Sequence, residues 1–228
     1  MPLSIPNLRE ALARLRDETS PFKGLPEVYV TDVVRCLRLS YLERTGAVPP
    51  DPDVLSRVRL IQALGNILHE VVGRVFPEGW LSEVSVRVCN GRVCLGGRVD
   101  LYNPSENVLV EVKTRAYVPD RPVPHHVVQA RLYASVLGAR RVHLLYIGRA
   151  RGDYRVFDVK PYGCPHELLR WAFERGEELA RALAEGRPPG VEYGPWCSGC
   201  SFSRHCPLRG KKTIDFREVP DWVSRFGT

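Results

Sequence analysis

Arg92-Val93-Cys94-Leu95-Gly96-Gly97-Arg98-Val99-Asp100-Leu101-Tyr102, a Pro104-Ser105-Glu106-Asn107 turn, and Val108-Leu109-Val110-Glu111-Val112-Lys113 together decide the reading of this chain. Both runs alternate with the period of two that belongs to strands, and the short turn between them places one beside the other. Glu111 and Lys113 leave one face of their strand while Val110 and Val112 leave the other, and Asp100 has the same relation to Val99 and Leu101. A preceding run, Ser82 to Cys89, alternates in the same way, and Asn90-Gly91 between the two predicts a tight hairpin with a type I′ turn.

Two carboxylates held close repel each other unless a hard divalent cation sits between them, which makes Asp100 and Glu111 candidate ligands for Mg²⁺ or Mn²⁺. Lys113 on the same face could orient a water and balance negative charge developing on a phosphate. His69 is expected on the helix before the hairpin as a further ligand, its imidazole tilting the preference toward Mn²⁺. Gln129 and Tyr133, four apart on a later helix, share a face suited to a DNA phosphate beside the metal. Taken singly, Glu-x-Lys is an ordinary solvated strand face, and His69, Gln129 and Tyr133 are ordinary helix residues; in this order, with glycines just before Asp100, they make a phosphodiester-cleaving site. Glu70 reads as structural or as a support to the ligands.

Working outward, Asn7 to Asp17 reads as a short amphipathic helix, and Thr31 caps a second that carries Val33, Val34, Cys36, Leu37 and Tyr41. Val54 to Phe76 has helical spacing of Leu60, Leu64, Ile67, Leu68, Val71 and Val72. Val123 to Leu137 is a helix stopped by Gly138, Arg141 to Ile147 and Tyr154 to Val159 are strands, and Pro165 to Glu185 is a last long helix. This order predicts an α/β fold: a mixed sheet, antiparallel at the hairpin and parallel where a helix crosses over, flanked by helices. At 228 residues and 44% hydrophobic, the chain suits one domain with one core, its centre at 54–160 and its flanks at 1–53 and 161–228.

The formal net charge is +7, carried mostly by Arg, which suits bidentate contact with phosphate oxygens and a polyanionic partner. Arg115, Arg121, Arg140, Arg141, Arg149 and Arg151 are candidates for that surface. The sequence has neither an apolar run long enough for a membrane span nor a secretory signal, so the expected location is cytoplasmic. In a reducing compartment seven cysteines read as ligands or buried thiols. Cys197-x2-Cys200-x5-Cys206 is a metal-binding loop stiffened by Pro195 and Pro207, with Trp196 and Phe202 available to exclude water. A fourth ligand is needed: Cys36 is the best donor and His205 its rival, and four soft sulfurs suit zinc or an iron–sulfur cluster, here a structural clamp. Cys89, Cys94 and Cys164 lack such spacing; Cys89 and Cys94 flank the hairpin turn and could oxidise together, but free buried thiols are the expectation.

Gly65-x3-His69-Glu70, Gly97-x2-Asp100, Glu111-x-Lys113 and Gln129-x3-Tyr133 resemble the RecB-type branch of the PD-(D/E)XK nucleases, whose core is restriction-endonuclease-like. With Cys36, Cys197, Cys200 and Cys206 added, the chain resembles the CRISPR-associated RecB-like nucleases with an iron–sulfur cluster, the "Cas four" family. The resemblance implies a cytosolic, Mg²⁺- or Mn²⁺-dependent DNA exonuclease that favours single-stranded DNA, with endonuclease activity besides. It implies a place in CRISPR adaptation, trimming spacer precursors with the CRISPR integrase and its small partner; a homo-oligomer is a further candidate assembly. His69, Asp100, Glu111, Lys113, Gln129 and Tyr133 take the catalytic positions, His69, Asp100, Glu111 and the Val112 carbonyl hold the cation, and the four cysteines hold an iron–sulfur cluster, of four irons or of two.

Two other readings fit parts of the pattern. One is a free-standing RecB-like nuclease of repair or recombination, without ATP-driven unwinding because no Gly-x4-Gly-Lys-Ser/Thr loop occurs. The other is a non-catalytic DNA-binding iron–sulfur module, which would leave Asp100, Glu111 and Lys113 without a reason to coexist.

Overall fold

The computed structural model describes residues 24–209 and 220–228; the helix expected at Asn7 to Asp17 lies outside them. In chain order the elements are β1 (Glu27–Tyr29), α1 (Val30–Val33), α2 (Leu37–Thr45), α3 (Pro52–Val75), β2 (Leu81–Cys89), β3 (Cys94–Asn103), β4 (Val108–Arg115), α4 (Pro124–Leu137), β5 (Arg141–Gly148), β6 (Asp153–Val159), α5 (Pro165–Glu185) and α6 (Trp222–Phe226). Five strands run in the order β1-β3-β4-β5-β6, and β2 pairs with β3 off that path. As the alternation predicts, β2, β3 and β4 are joined antiparallel, while α4 crosses over so that β5 runs parallel to β4. The mixed α/β sheet flanked by helices is the expected restriction-endonuclease-like arrangement.

One feature of the sheet prepares the site. β2 pairs with β3 from residue 94 to residue 102 along one edge. The other edge is shared, with β1 taking residues 94–96 and β4 taking 101–103. Gly97 to Asp100 therefore lie in a fork between β1 and β4. There the Asp100 side chain, not a β3 carbonyl, accepts the Val112 N–H, at 2.7 Å.

Several local expectations are corrected. The turn at Asn90-Gly91 is a four-residue connection, since Cys89 pairs with Cys94. Gly91 has a φ of 87° while Asn90 does not have positive φ, so the turn is not type I′. Instead the Asn90 side chain accepts the N–H groups of Arg92 and Val93, the local competition that Asn offers in turns. Because the longer connection sets Cys89 and Cys94 directly opposite with Cα atoms 4.1 Å apart, they form a disulfide rather than free thiols. Cys164 is free but exposed.

The helix expected from Thr31 onward is broken at Val34 to Cys36, giving α1 and α2, and Cys36 is the residue that precedes α2 rather than one inside it. The break is held from outside: Arg175 on α5 donates to the carbonyls of Val33 and Arg35, each at 2.7 Å. β1 and α6 were not foreseen. β1 brings residues 27–29, N-terminal to the expected 54–160 centre, into the sheet.

The main core lies between the sheet and α4 and α5, with Val128, Leu132, Leu144, Leu168 and Leu179 fully buried. α3 covers the opposite face thinly. Val72 reaches a second cluster of Leu101, Val110 and Val112, but Leu64, Ile67 and Val71 stay 43%, 57% and 49% exposed. Two glycines let this helix lie close: a Cβ on Gly65 would sit 3.2 Å from Thr114 Oγ1, and one on Gly73 would sit 3.2 Å from Ser82 Cβ. His69 lies midway between those two contacts, and the close approach delivers its side chain to β3.

Candidate functional site

The fork in the sheet gathers the carboxylate residues read from the sequence. Leu101 pairs with Val110, which brings Asp100 beside Glu111. His69 Nδ1 lies 3.0 Å from Asp100 Oδ1, so one Asp100 oxygen faces the imidazole while the other receives the Val112 N–H. Lys113 Nζ donates to Glu111 Oε1 and to Gln129 Oε1, both at 2.8 Å. Glu111 is 2% exposed, and its Oε2 is buried without a hydrogen-bond partner.

The electrostatics follow from burial and from this crowding. Desolvation and the neighbouring Asp100 charge push the Glu111 carboxyl up to about 7, against the pull of Lys113. Burial alone would lower the His69 imidazole, but the hydrogen bond and charge of Asp100 carry it above its ordinary value. Burial likewise opposes the Lys113 ammonium, yet Glu111 and Asp100 hold it charged and raise it.

A buried carboxylate oxygen without a partner, a second carboxylate beside it and an imidazole make an oxygen-rich donor set that fits Mg²⁺ or Mn²⁺. Cation binding must displace the Glu111 proton and leave His69 neutral. The affinity for Mn²⁺ is therefore expected to rise with pH, by about tenfold per pH unit for the Glu111 proton displaced, as pH climbs toward about 7. Calorimetric Mn²⁺ titrations from pH 5.5 to 8.5 check this; affinity independent of pH would contradict the assignment of Glu111.

Gln129 and Tyr133 share a face of α4, but both are buried, at 5% and 1% exposure, so they do not present themselves to DNA. α4 is enclosed from Val127 to Ala134, which leaves no wet face for them. Gln129 instead fixes Lys113, and its Nε2 lies 3.4 Å from the Tyr133 hydroxyl. Tyr133 fills the fork: a Cβ on Gly97 would come within 2.6 Å of its ring. The glycine before Asp100 is thus required by the aromatic ring behind it. Burial raises the Tyr133 phenol above its ordinary value and keeps it neutral. Glu70 pairs with Arg74 on the surface of α3.

One residue of the site was missed. Glu83 on β2 brings a ligand oxygen into a group with His69 and Asp100 in which all ligand atoms lie within 4.8 Å of one another. No local motif marks it.

The candidate phosphate-binding arginines divide. Arg115 and Arg149 lie at the end of the parallel pair nearer Lys113, where the Arg149 N–H bonds to the Arg115 carbonyl, and Arg151 lies over the Tyr117 ring. Arg141 sits at the opposite end of β5, paired with Glu106 at 3.0 Å, with Arg140 beside it.

Cys36, Cys197, Cys200 and Cys206 line one cavity of about 210 Å³, bordered by Leu39, Trp196 and Phe202. None of the four is in a disulfide. Burial raises the thiols of Cys36 and Cys197 and pushes that of Cys200 up to about 11, so the protein alone does not stabilise thiolates there. His205 also borders the cavity, but its Nε2 lies 3.2 Å from the Pro49 carbonyl.

Two residues the sequence did not single out set this geometry. Glu192 accepts from the Leu37 N–H at 3.2 Å and from both terminal nitrogens of Arg175, at 2.7 and 2.8 Å. Its carbonyl accepts from Trp196 Nε1 at 3.0 Å. The Arg175–Glu192 pair thereby holds the turn of Cys36 against the loop of Cys197.

The family model described as the PD-(D/E)XK nuclease superfamily matches residues 59–207. The CRISPR-associated exonuclease Cas4 of Saccharolobus solfataricus is 27% identical over 143 residues, covering 59% of this chain and 69% of that protein. The crystal structure of SSO0001 superposes with a TM-score of 0.60 over 90% of this chain and 93% of its own, at 22% identity, a likeness of fold.

Proposed function

Because the chain belongs to the PD-(D/E)XK nuclease superfamily, we propose that it is a Mg²⁺- or Mn²⁺-dependent DNA exonuclease acting on single-stranded DNA, with endonuclease activity besides. The observation that carries the reading is the buried, unpartnered Glu111 Oε2 next to Asp100, with Lys113 fixed between Glu111 and Gln129. A divalent cation held by His69, Asp100, Glu111 and the Val112 carbonyl would polarise a phosphate oxygen and make a water acidic. Lys113 contributes a fixed positive charge where the oxygens of the attacked phosphoryl group gather negative charge, and Gln129 and Tyr133 keep it there without being in contact with solvent.

The residues around the cysteine cavity fit an iron–sulfur cluster. Four cysteines, none of them in a disulfide, border one cavity, and four soft sulfurs suit such a cluster. Cys36, rather than the carbonyl-bonded His205, is the fourth ligand. The cluster would tie the segment before α2 to the loop after α5, making residues 1–53 and 161–228 parts of one nuclease unit with the 54–160 centre.

A role in CRISPR adaptation, in the cytoplasm beside the integrase and its small partner, is supported by the likeness to the Saccharolobus exonuclease and by the four-cysteine set. Among the described residues no helix is long and apolar enough to cross a membrane.

End-labelled single-stranded and duplex DNA of one sequence, incubated with Mn²⁺, test the substrate class. A ladder shortening from one end, faster on the single strand and stopped by chelation, is expected. Equal cleavage of both at internal positions would contradict an exonuclease of single strands.

A further inference from the structure

The parallel ladder of β4 and β5 runs on past the ends of both strands. The Arg149 N–H donates to the Arg115 carbonyl at 2.8 Å and the Ala150 N–H to the Ala116 carbonyl at 2.9 Å. The next residues along the two segments, Tyr117 and Arg151, therefore come side by side. The Gly152 N–H returns to the Gly148 carbonyl at 2.8 Å and closes the turn, with a φ of 67° that suits glycine. The Arg151 guanidinium lies over the Tyr117 ring, 5.5 Å from its centroid, yet Tyr117 stays 62% exposed. A stacked guanidinium holds the ring on one side and leaves most of its apolar surface open.

The surroundings carry one sign of charge. Lys113 and Arg115 leave the same face of β4, and burial together with these two charges pushes the His125 imidazole down to about 4. Arg149 Nη1 is buried without an acceptor. Among the described residues no carboxylate pairs with Arg115, Arg149 or Arg151, whereas Arg155 is paired with Asp120 at 3.7 Å. The carboxyl end of parallel strands is where open α/β sheets leave a crevice for ligands, and Lys113 stands two residues before the end of β4. Cations without anions around an exposed aromatic ring suit a surface that tracks a nucleic-acid backbone and stacks unpaired bases.

We propose that Tyr117, backed by Arg151, is a base-stacking platform for a single strand leading to the cation site, with Arg115 and Arg149 on its phosphates. A base stacked inside a duplex has both faces covered by its neighbours and cannot be offered to the ring, so the platform favours single strands. Stacking of this kind deepens the single-strand reading of the same site and rests on it.

The test is the affinity of the intact protein for a fluorescent single-stranded oligonucleotide, read by anisotropy without added divalent cation so that nothing is cut. Tyr117→Ala is expected to weaken binding by about 5- to 150-fold, the worth of one stacked base. Tyr117→Phe, which keeps the ring, should bind as the wild type does. A strand of abasic sites should bind wild type and Tyr117→Ala equally, which separates stacking from a general disturbance of the loop. Tyr154→Ala is the control. Tyr154 is 74% exposed but pairs with Ile147, on the face of the sheet opposite that of Lys113 and its partner Tyr146, so its loss should leave binding unchanged. Tyr117→Ala binding the single strand like wild type, or losing duplex and abasic strand to the same degree, would overturn the platform. If the wild type meanwhile cuts single strands with Mn²⁺, the nuclease reading stands without it; a wild type that neither binds nor cuts single strands defeats both.

Discussion

Lys113→Met is expected to lower the rate of metal-dependent DNA cleavage by about 10²–10³-fold while leaving Mn²⁺ bound, because the ammonium acts on charge that develops in the transition state rather than on the cation. Its place is over-determined. Glu111 and Gln129 each hold Nζ at 2.8 Å, and the charges of Glu111 and Asp100 outweigh the cost of burial. Methionine keeps the stem's volume and removes the charge. The loss should fall on kcat with little change in KM, measured at saturating Mn²⁺. Unchanged kcat would mean that Lys113 only neutralises Glu111, and the site would need another source of positive charge.

Cys36→Ser is expected to produce the second large effect, a fall of at least about tenfold in iron bound per chain, with loss of visible absorption. It should also lower the midpoint of unfolding, because the cluster's binding energy is folding energy. Serine occupies nearly the same volume, and Cys36 sits at the turn that Arg175 and Glu192 already hold, so the local backbone should persist. His205→Ala should leave iron content near that of the wild type, since its ring faces the Pro49 carbonyl. Full iron in Cys36→Ser, or loss in His205→Ala, would reverse the choice of fourth ligand.

The strands and the carboxylates were legible because period two fixes which side chains share a face. Val108 to Lys113 alternates cleanly, so Asp100, Glu111 and Lys113 could be placed together before any coordinates. β1 was not legible, because three residues are too short for a period to declare itself and its pairing with β3 is remote in sequence. The break between α1 and α2 escaped for a related reason: the local sequence is helical, and the tie from Arg175 to the Val33 and Arg35 carbonyls comes from some 140 residues away.

Gln129 and Tyr133 show where periodicity stops. Their shared face was correct, but which face of α4 meets solvent depends on packing by the sheet and α6, and that packing closes the helix on every side around them. Glu83 was invisible because strand alternation assumes ordinary backbone, and its left-handed φ re-aims the side chain. The spacing of Cys197, Cys200 and Cys206 declared a loop that binds something. Glu192, which organises that loop, lies outside the spacing and is an unremarkable charge in the sequence.

The central claim is that Asp100 anchors a hydrolytic site for DNA. End-labelled single-stranded DNA with Mn²⁺, treated with wild type and with Asp100→Ala purified identically, tests it most directly. The account predicts cleavage by the wild type and a loss of at least about a thousandfold in the variant, with iron content and unfolding midpoint of the cysteine region unchanged. Equal cleavage by the two proteins would contradict it.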